Sequence, residues 1–119
     1  MVLTKTNIYG EVLDRNGYAP SIIGGHNEHK CYLCQRNGTQ DKLDRHEMIH
    51  GAYREKSKSL GLWVYLCHFS CHQFGKYAAH NNIETDLMLK HDAQIAAMDY
   101  YGMSREEFIE ELGKDYTNG

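Results

Sequence analysis

Two pairs of cysteines stand out by their spacing: Cys31 and Cys34 in "CYLC", and Cys67 and Cys71 in "CHFSC". Close pairs carried on two turns can converge tetrahedrally on one Zn²⁺, with Zn–S distances of about 2.3 Å. Such a site is coordinatively closed, so it staples a fold and does not catalyse. Four buried free cysteines are the alternative, and they leave the pairing without a reason. The stretch from Leu43 to Asn82 adds five of the chain's eight histidines, His46, His50, His68, His72 and His80. A four-cysteine zinc leaves all five unspent, and a second, open cation site would need about three ligands.

Helix geometry limits how these histidines combine. On one continuous helix His72 and His80 would be about 12 Å apart in rise, too far to share an ion. Gly75 in "HQFGKY" supplies a break after which "KYAAH" could start a new helix and bring His80 back. His68 and His72, at i and i+4, are the competing pair on a helix face.

Elements that could hold these groups are legible along the chain. The first 25 residues read as short extended pieces broken by turns, with no chemistry assigned to them. "CYLC" opens a knuckle-like turn, "QRNGTQD" is a turn signal, and "KLDRHEM" is a strand candidate. The β-formers of "LWVYL" give a second strand, so the two pair as a hairpin across the polar connection "HGAYREKSKSLG". A helical pattern is predicted from "KYAAH" onward. "ETDLMLKHDAQIAAMDYY" places Leu87, His91, Ile95, Met98 and Tyr101 near helical spacing and ends at Gly102. "MSREEFIEELGK" starts with Ser104 and has Glu107 three residues on, a capping box, with Phe108, Ile109 and Leu112 free to pack inward. His91, in the apolar stripe, reads as a packed or partly exposed histidine and not as a ligand.

Composition fits one small domain stapled by metal. With 119 residues, 41% hydrophobic and one proline, the chain should fold compactly. "MVLTKTNIYG" lacks a basic start followed by an apolar run, and no membrane-length apolar segment follows, so a cytoplasmic protein is expected. In a reducing compartment paired cysteines favour zinc over disulfides. The net charge of −3 is unevenly spread: residues 1–25 sum to 0, 26–80 to +3 and 81–119 to −6. The histidine-rich part is therefore the basic part. It carries Arg45, Arg54, Lys56, Lys58 and Lys76, which suit either phosphate contacts or a solvated loop.

"LDRHEMIHGAYREKSKSLGLWVYLCHFSCHQFGKYAAHN", preceded by "CYLC", resembles the HNH endonuclease superfamily, in particular small phage and prophage HNH proteins related to the recombination enhancement function nucleases. The resemblance covers roughly residues 30–82, and "SREEFIEELGKDY" is similar to the C-terminal end of the same proteins. It implies an α+β fold, a small zinc-stapled ββα-metal (His-Me finger) core with additional C-terminal helices. The expected division is an extended segment over 1–25, the HNH domain with its four-cysteine zinc site over 26–82, and a helical extension of the same domain over 83–119. A phage-encoded copy would work in the host cytoplasm.

The resemblance also implies an activity: hydrolysis of DNA phosphodiester bonds, as an endonuclease or nickase, leaving 5′-phosphate and 3′-hydroxyl ends. Its pair at the end of the first strand, one member a ligand and one a base, matches His46-Glu47. Its distal ligands match His72 and His80. The middle asparagine that braces the family's loop has no match in "SLGLWVYLC", and Ser59 or the backbone is the expected replacement. Either Glu47 joins His72 and His80 on the cation and His46 is the base, the arrangement favoured by histidine's proton affinity near pH 7, or His46 binds and His50 is the base. His68 stays in reserve. The cation would be Mg²⁺, Mn²⁺, Ni²⁺ or Zn²⁺, and Arg45, Arg54 and Lys56 would contact DNA phosphates. Expected partners are DNA and phage or host recombination or packaging proteins, with no membrane. The rival reading is a catalytically inactive zinc module of the same fold that binds DNA or a protein. Oligomeric state and sequence preference have no signal.

Overall fold

The computed structural model describes residues 5–23 and 28–117. Its centre is a hairpin in which β1 (Leu43–Glu47) pairs antiparallel with β2 (Trp63–Cys67), Leu43 opposite Cys67 and Glu47 opposite Trp63. Side chains alternate across a pleated strand. His46 is buried on the side it shares with Asp44, while Arg45 and Glu47 turn to the opposite side. There the Arg45 guanidinium lies over the rings of Tyr18 and Trp63, and Glu47 accepts a hydrogen bond from the Tyr18 hydroxyl at 2.7 Å.

The connection between the strands winds up instead of remaining a plain loop, forming a 3₁₀ turn (Gly51–Tyr53) and α1 (Arg54–Ser59). The reason is one serine. Ser57 is fully buried; its Oγ donates to the Leu62 carbonyl at 2.7 Å and accepts the Ile49 amide at 3.1 Å. It thereby ties the exit of β1 to the entrance of β2. Ser59, the expected brace, is half-buried and its hydroxyl donates to the Lys56 carbonyl within its own helix. The N-terminal segment packs along this junction, Ala19 and Ile22 donating amides to Lys58 and Gly61 carbonyls. Gly61 has φ +72, and a side chain there would collide with the Pro20 carbonyl, so the close approach requires glycine.

After β2 the chain makes a π-helical turn over His68–Gln73, the Phe74 amide donating to the Phe69 carbonyl at 2.9 Å. The helix predicted from "KYAAH" is absent. Instead the segment folds back on the π turn: Ala79 donates to the Cys71 carbonyl at 2.8 Å and His80 to the His72 carbonyl at 3.0 Å. Amides committed to the π turn are not available to start a new helix. A Cβ on Gly75 would overlap the Ser70 carbonyl, which is why the reversal falls there.

Two helices complete the α+β arrangement. α2 (Ile83–Tyr101) is capped by the Asn82 side chain on the Thr85 amide and stopped by Gly102 at φ 68. α3 (Arg105–Leu112) has the full capping box between Ser104 and Glu107. The buried face of α2 is not the predicted one. Leu89, Ala93 and Ala97 are fully buried, whereas Leu87 and Ile95 are 44% and 48% exposed. Small alanines let the helix approach closely, and Gln94 turns inward because its amide meets Asp115 and the Tyr116 amide. The core joins Met48, Leu62, Val64 and Leu66 of the hairpin region to Leu89 and Phe108 of the helices. No helix among the described residues is long and apolar enough to cross a membrane. Residues 1–4 and 24–27 of the predicted extended segment and its border lie outside the described residues.

Ser57→Ala should leave the buried Ile49 amide without its partner and the Leu62 carbonyl with the Met48 amide alone, at a cost of about 1–3 kcal/mol. Chemical denaturation at fixed zinc concentration measures it; an unchanged midpoint would remove Ser57 from this bracing role.

Candidate metal centres

Two clusters of ligand-type side chains flank the hairpin. In the first, one Sγ from each of Cys31, Cys34, Cys67 and Cys71 lies within 4.8 Å of the others. The knuckle is shaped for this: the Cys34 amide points at the Cys31 Sγ at 3.5 Å, Gln35 takes a left-handed φ of 68, and the Tyr32 amide pins the turn to β2 through the Tyr65 carbonyl. Cys67 is the last residue of β2, and Cys71 sits in the π turn. Burial, the Cys34 hydrogen bond and the neighbouring Cys31 push the Cys67 thiol up to about 12. Burial and hydrogen bonding to Cys31 push Cys71 up as well. Four sulfurs packed this closely repel one another as thiolates unless a positive charge lies among them, so this donor set fits Zn²⁺.

The second cluster is His46, His72 and His80, each offering a ring nitrogen within 4.8 Å of the other two. His46 Nε2 is buried with no hydrogen-bond partner, and burial, followed by neighbouring His72 and His80, lowers its pKa to about 3. A neutral, desolvated imidazole with an orphaned nitrogen is what a divalent cation would satisfy. His72 and His80 face each other, Nε2 to Nε2, at 3.1 Å. Burial lowers the pKa of His80 too, with His72 and His50 adding to the effect. At that distance His80 Nε2–H can donate to His72 Nε2, and a cation that displaced this proton would find both nitrogens within reach.

Carboxylates absent from the sequence reading orient the cluster. Asp44 Oδ2 lies 2.8 Å from His72 Nδ1 and 2.6 Å from His68 Nδ1. Burial works against the Asp44 charge, but hydrogen bonds from His72 and His68 outweigh it and keep its pKa low. An anionic Asp44 accepts the Nδ1–H of His72 and leaves Nε2 free as a ligand, the carboxylate–histidine pattern common around metals. Asp44, His68 and His72 are themselves close enough to form a third group of potential ligands. On the far rim, His50 Nε2 lies 2.9 Å from Asp86 Oδ1, and the same carboxylate holds Lys90 at 2.8 Å. Asp44 was readable, since it stands two residues before His46 and therefore on the same face of the strand. Asp86 arrives from α2, and no local spacing announces it.

The remaining expected site residues fall elsewhere. Glu47 is turned away from the histidines and is held by Tyr18 and by Arg54 Nε at 3.0 Å. As an adjacent residue in a pleated strand it cannot face the same side as His46. Arg45 is paired with Asp14 at 3.0 Å and Lys56 with Glu111 at 3.1 Å, so with Arg54 all three expected phosphate contacts are already matched to carboxylates. His91 is on an exposed part of α2 and joins no ligand cluster among the described residues.

These features define a small α+β protein with a two-stranded antiparallel sheet, helices, and a four-cysteine cluster that could hold a metal and is compatible with structural zinc. Comparison of the chain with family models, with curated proteins and with solved structures finds no match in any of the three.

Replacing Cys31 and Cys67 together by serine should remove about one zinc per chain and lower the melting temperature. Elemental analysis with a thermal melt checks this; unchanged zinc and stability would exclude the cysteine cluster. Asp44→Asn should weaken divalent-cation binding at the histidine cluster by about 10- to 100-fold, read by competition with a chromophoric chelator.

Proposed function

We propose that the protein is a metal-dependent DNA endonuclease or nickase with an HNH-type site. The observation that supports this most is the convergence of His46, from the first strand, with His72 and His80, from beyond the second, at one side of a hairpin. On this reading residues 26–82 are a ββα-metal core stapled by zinc at the four cysteines, and 83–119 extend it. A divalent cation at the histidines would supply Lewis-acid stabilisation of charge building on the phosphoryl and leaving oxygens. Mg²⁺, Mn²⁺, Ni²⁺ and Zn²⁺ are the candidates.

The side chains then divide the work. His46, His72 and His80 are holders, because His46 is buried and neutral and Asp44 fixes the tautomer of His72. Proton handling passes to His50. Its Nε2 is oriented by Asp86, which leaves Nδ1 to take a proton from the water attacking phosphorus. Glu47, engaged by Tyr18 and Arg54, supports the outer face of β1 in this account. With Arg45, Arg54 and Lys56 matched to carboxylates, substrate phosphates meet Arg36 and Lys76.

Supercoiled-plasmid nicking with each of the four metals tests the proposal. Wild type should nick with at least one and stop on chelation, His72→Ala should be inactive, and His50→Ala should lose about 10²- to 10⁴-fold while retaining the cation. Full activity in His50→Ala would return the base to another residue. Absence of cleavage with every metal, with DNA or protein binding intact, would establish the inactive zinc module instead.

A further inference from the structure

We infer that the surface beside the histidine cluster is a platform for unpaired nucleic-acid bases, so that the substrate is single-stranded or locally opened DNA. This rests on the DNA reading above and adds the form of the strand. Phe69 and Phe74, from the π turn and its exit, are 59% and 66% exposed. Their rings stack on each other at 5.7 Å with an interplanar angle of 29°. Tyr77, close along the chain, is 65% exposed. Three large aromatic rings left to water in nine residues of chain mark a surface kept for a partner.

The platform is rigid and adjoins the proposed site. Asp41 accepts the Phe69 and Ser70 amides at 3.0 and 2.9 Å, which fixes the backbone that presents the first ring. The His68 ring stands edge-on to Phe69 at 4.7 Å and to Phe74 at 6.3 Å. Through its Nδ1 His68 shares Asp44 with His72. A single imidazole and a single carboxylate therefore separate the aromatic pair from a cation-holding residue.

Charge selects the partner. Residues 68–82 contain no acidic side chain, and Asp41 at their edge is occupied by two amides. Lys76 lies over the Tyr77 ring at 5.3 Å, and Arg36 reaches Ser70 Oγ at 3.3 Å. Ser70, Lys76 and Tyr77 line one cavity, and Arg36 approaches its edge through the Ser70 hydroxyl. Flat exposed rings bordered by cations suit a strand whose bases offer π-faces and whose backbone offers phosphates. A closed duplex hides its base faces and would leave the Phe pair against sugar and phosphate.

The test is fluorescence anisotropy on labelled oligonucleotides, single-stranded and duplex of equal length, with the zinc-loaded protein at low temperature and no added divalent cation, which holds off cleavage and keeps the four-cysteine staple in place. Wild type should prefer the single strand. Phe69→Ala and Phe74→Ala should each weaken that binding by about 5- to 100-fold and leave duplex binding unchanged. Circular dichroism checks that both variants fold. Phe74→Trp should restore affinity, and its fluorescence should be quenched when the strand binds. Equal affinity for both forms, or alanine variants that bind normally, would overturn the inference while leaving plasmid nicking by wild type intact. Concentration-dependent self-association lost in Phe69→Ala, without any effect on oligonucleotides, would assign the patch to a second copy and also overturn it. No nucleic-acid binding together with no nicking would remove both this inference and the DNA reading beneath it.

Discussion

The amide of His80 donating to the carbonyl of His72 is the contact on which both clusters turn. It forms only because the chain reverses at Gly75, where any side chain would overlap the Ser70 carbonyl. One residue earlier on each side, Ala79 bonds the Cys71 carbonyl. The same short segment thus supplies a thiol to one cluster and an imidazole to the other, from adjacent residues. A cation on the cysteines would hold the π turn in place, and the π turn carries His72. Stapling the fold and shaping the histidine cluster are in this sense one act, which suits a chain too short to do it by core burial alone.

The hairpin divides two kinds of environment by its pleat. On one side Asp44 and His46 meet the π turn and build a cluster of imidazoles around a low-pKa carboxylate. On the other, Arg45 and Glu47 meet Tyr18, Trp63, Asp14 and Arg54 and form a paired, stacked outer face. The desolvation that keeps the His46 imidazole neutral would be costly for an unpaired Glu47, and Tyr18 and Arg54 relieve it. Adjacent residues in one strand therefore have opposite electrostatic fates. Pairing His46 with Glu47 as one functional unit ignores this two-residue period.

The acidic C-terminal part is more than scaffold. Asp86 of α2 reaches back to His50, and Glu111 near the end of α3 neutralises Lys56. The local excess of base over residues 26–80 is accordingly weaker at the surface than its sum implies. Arg36 and Lys76 border the π turn, away from the arginines first considered for phosphate.

The sequence alone determined the two cysteine pairs, the hairpin, the capping box of α3, the stop at Gly102 and the break at Gly75, because each is written in local spacing or in a residue with special backbone freedom. Asp44 was also within its reach, through strand alternation. Only the tertiary structure decided that Ser57 and not Ser59 braces the loop, that α2 buries Leu89, Ala93 and Ala97, and that "KYAAH" folds back without forming a helix. It alone joined Asp86 to His50 and matched three basic residues to distant carboxylates. Those outcomes depend on which surfaces meet across long stretches of chain, and neither periodicity nor propensity encodes that.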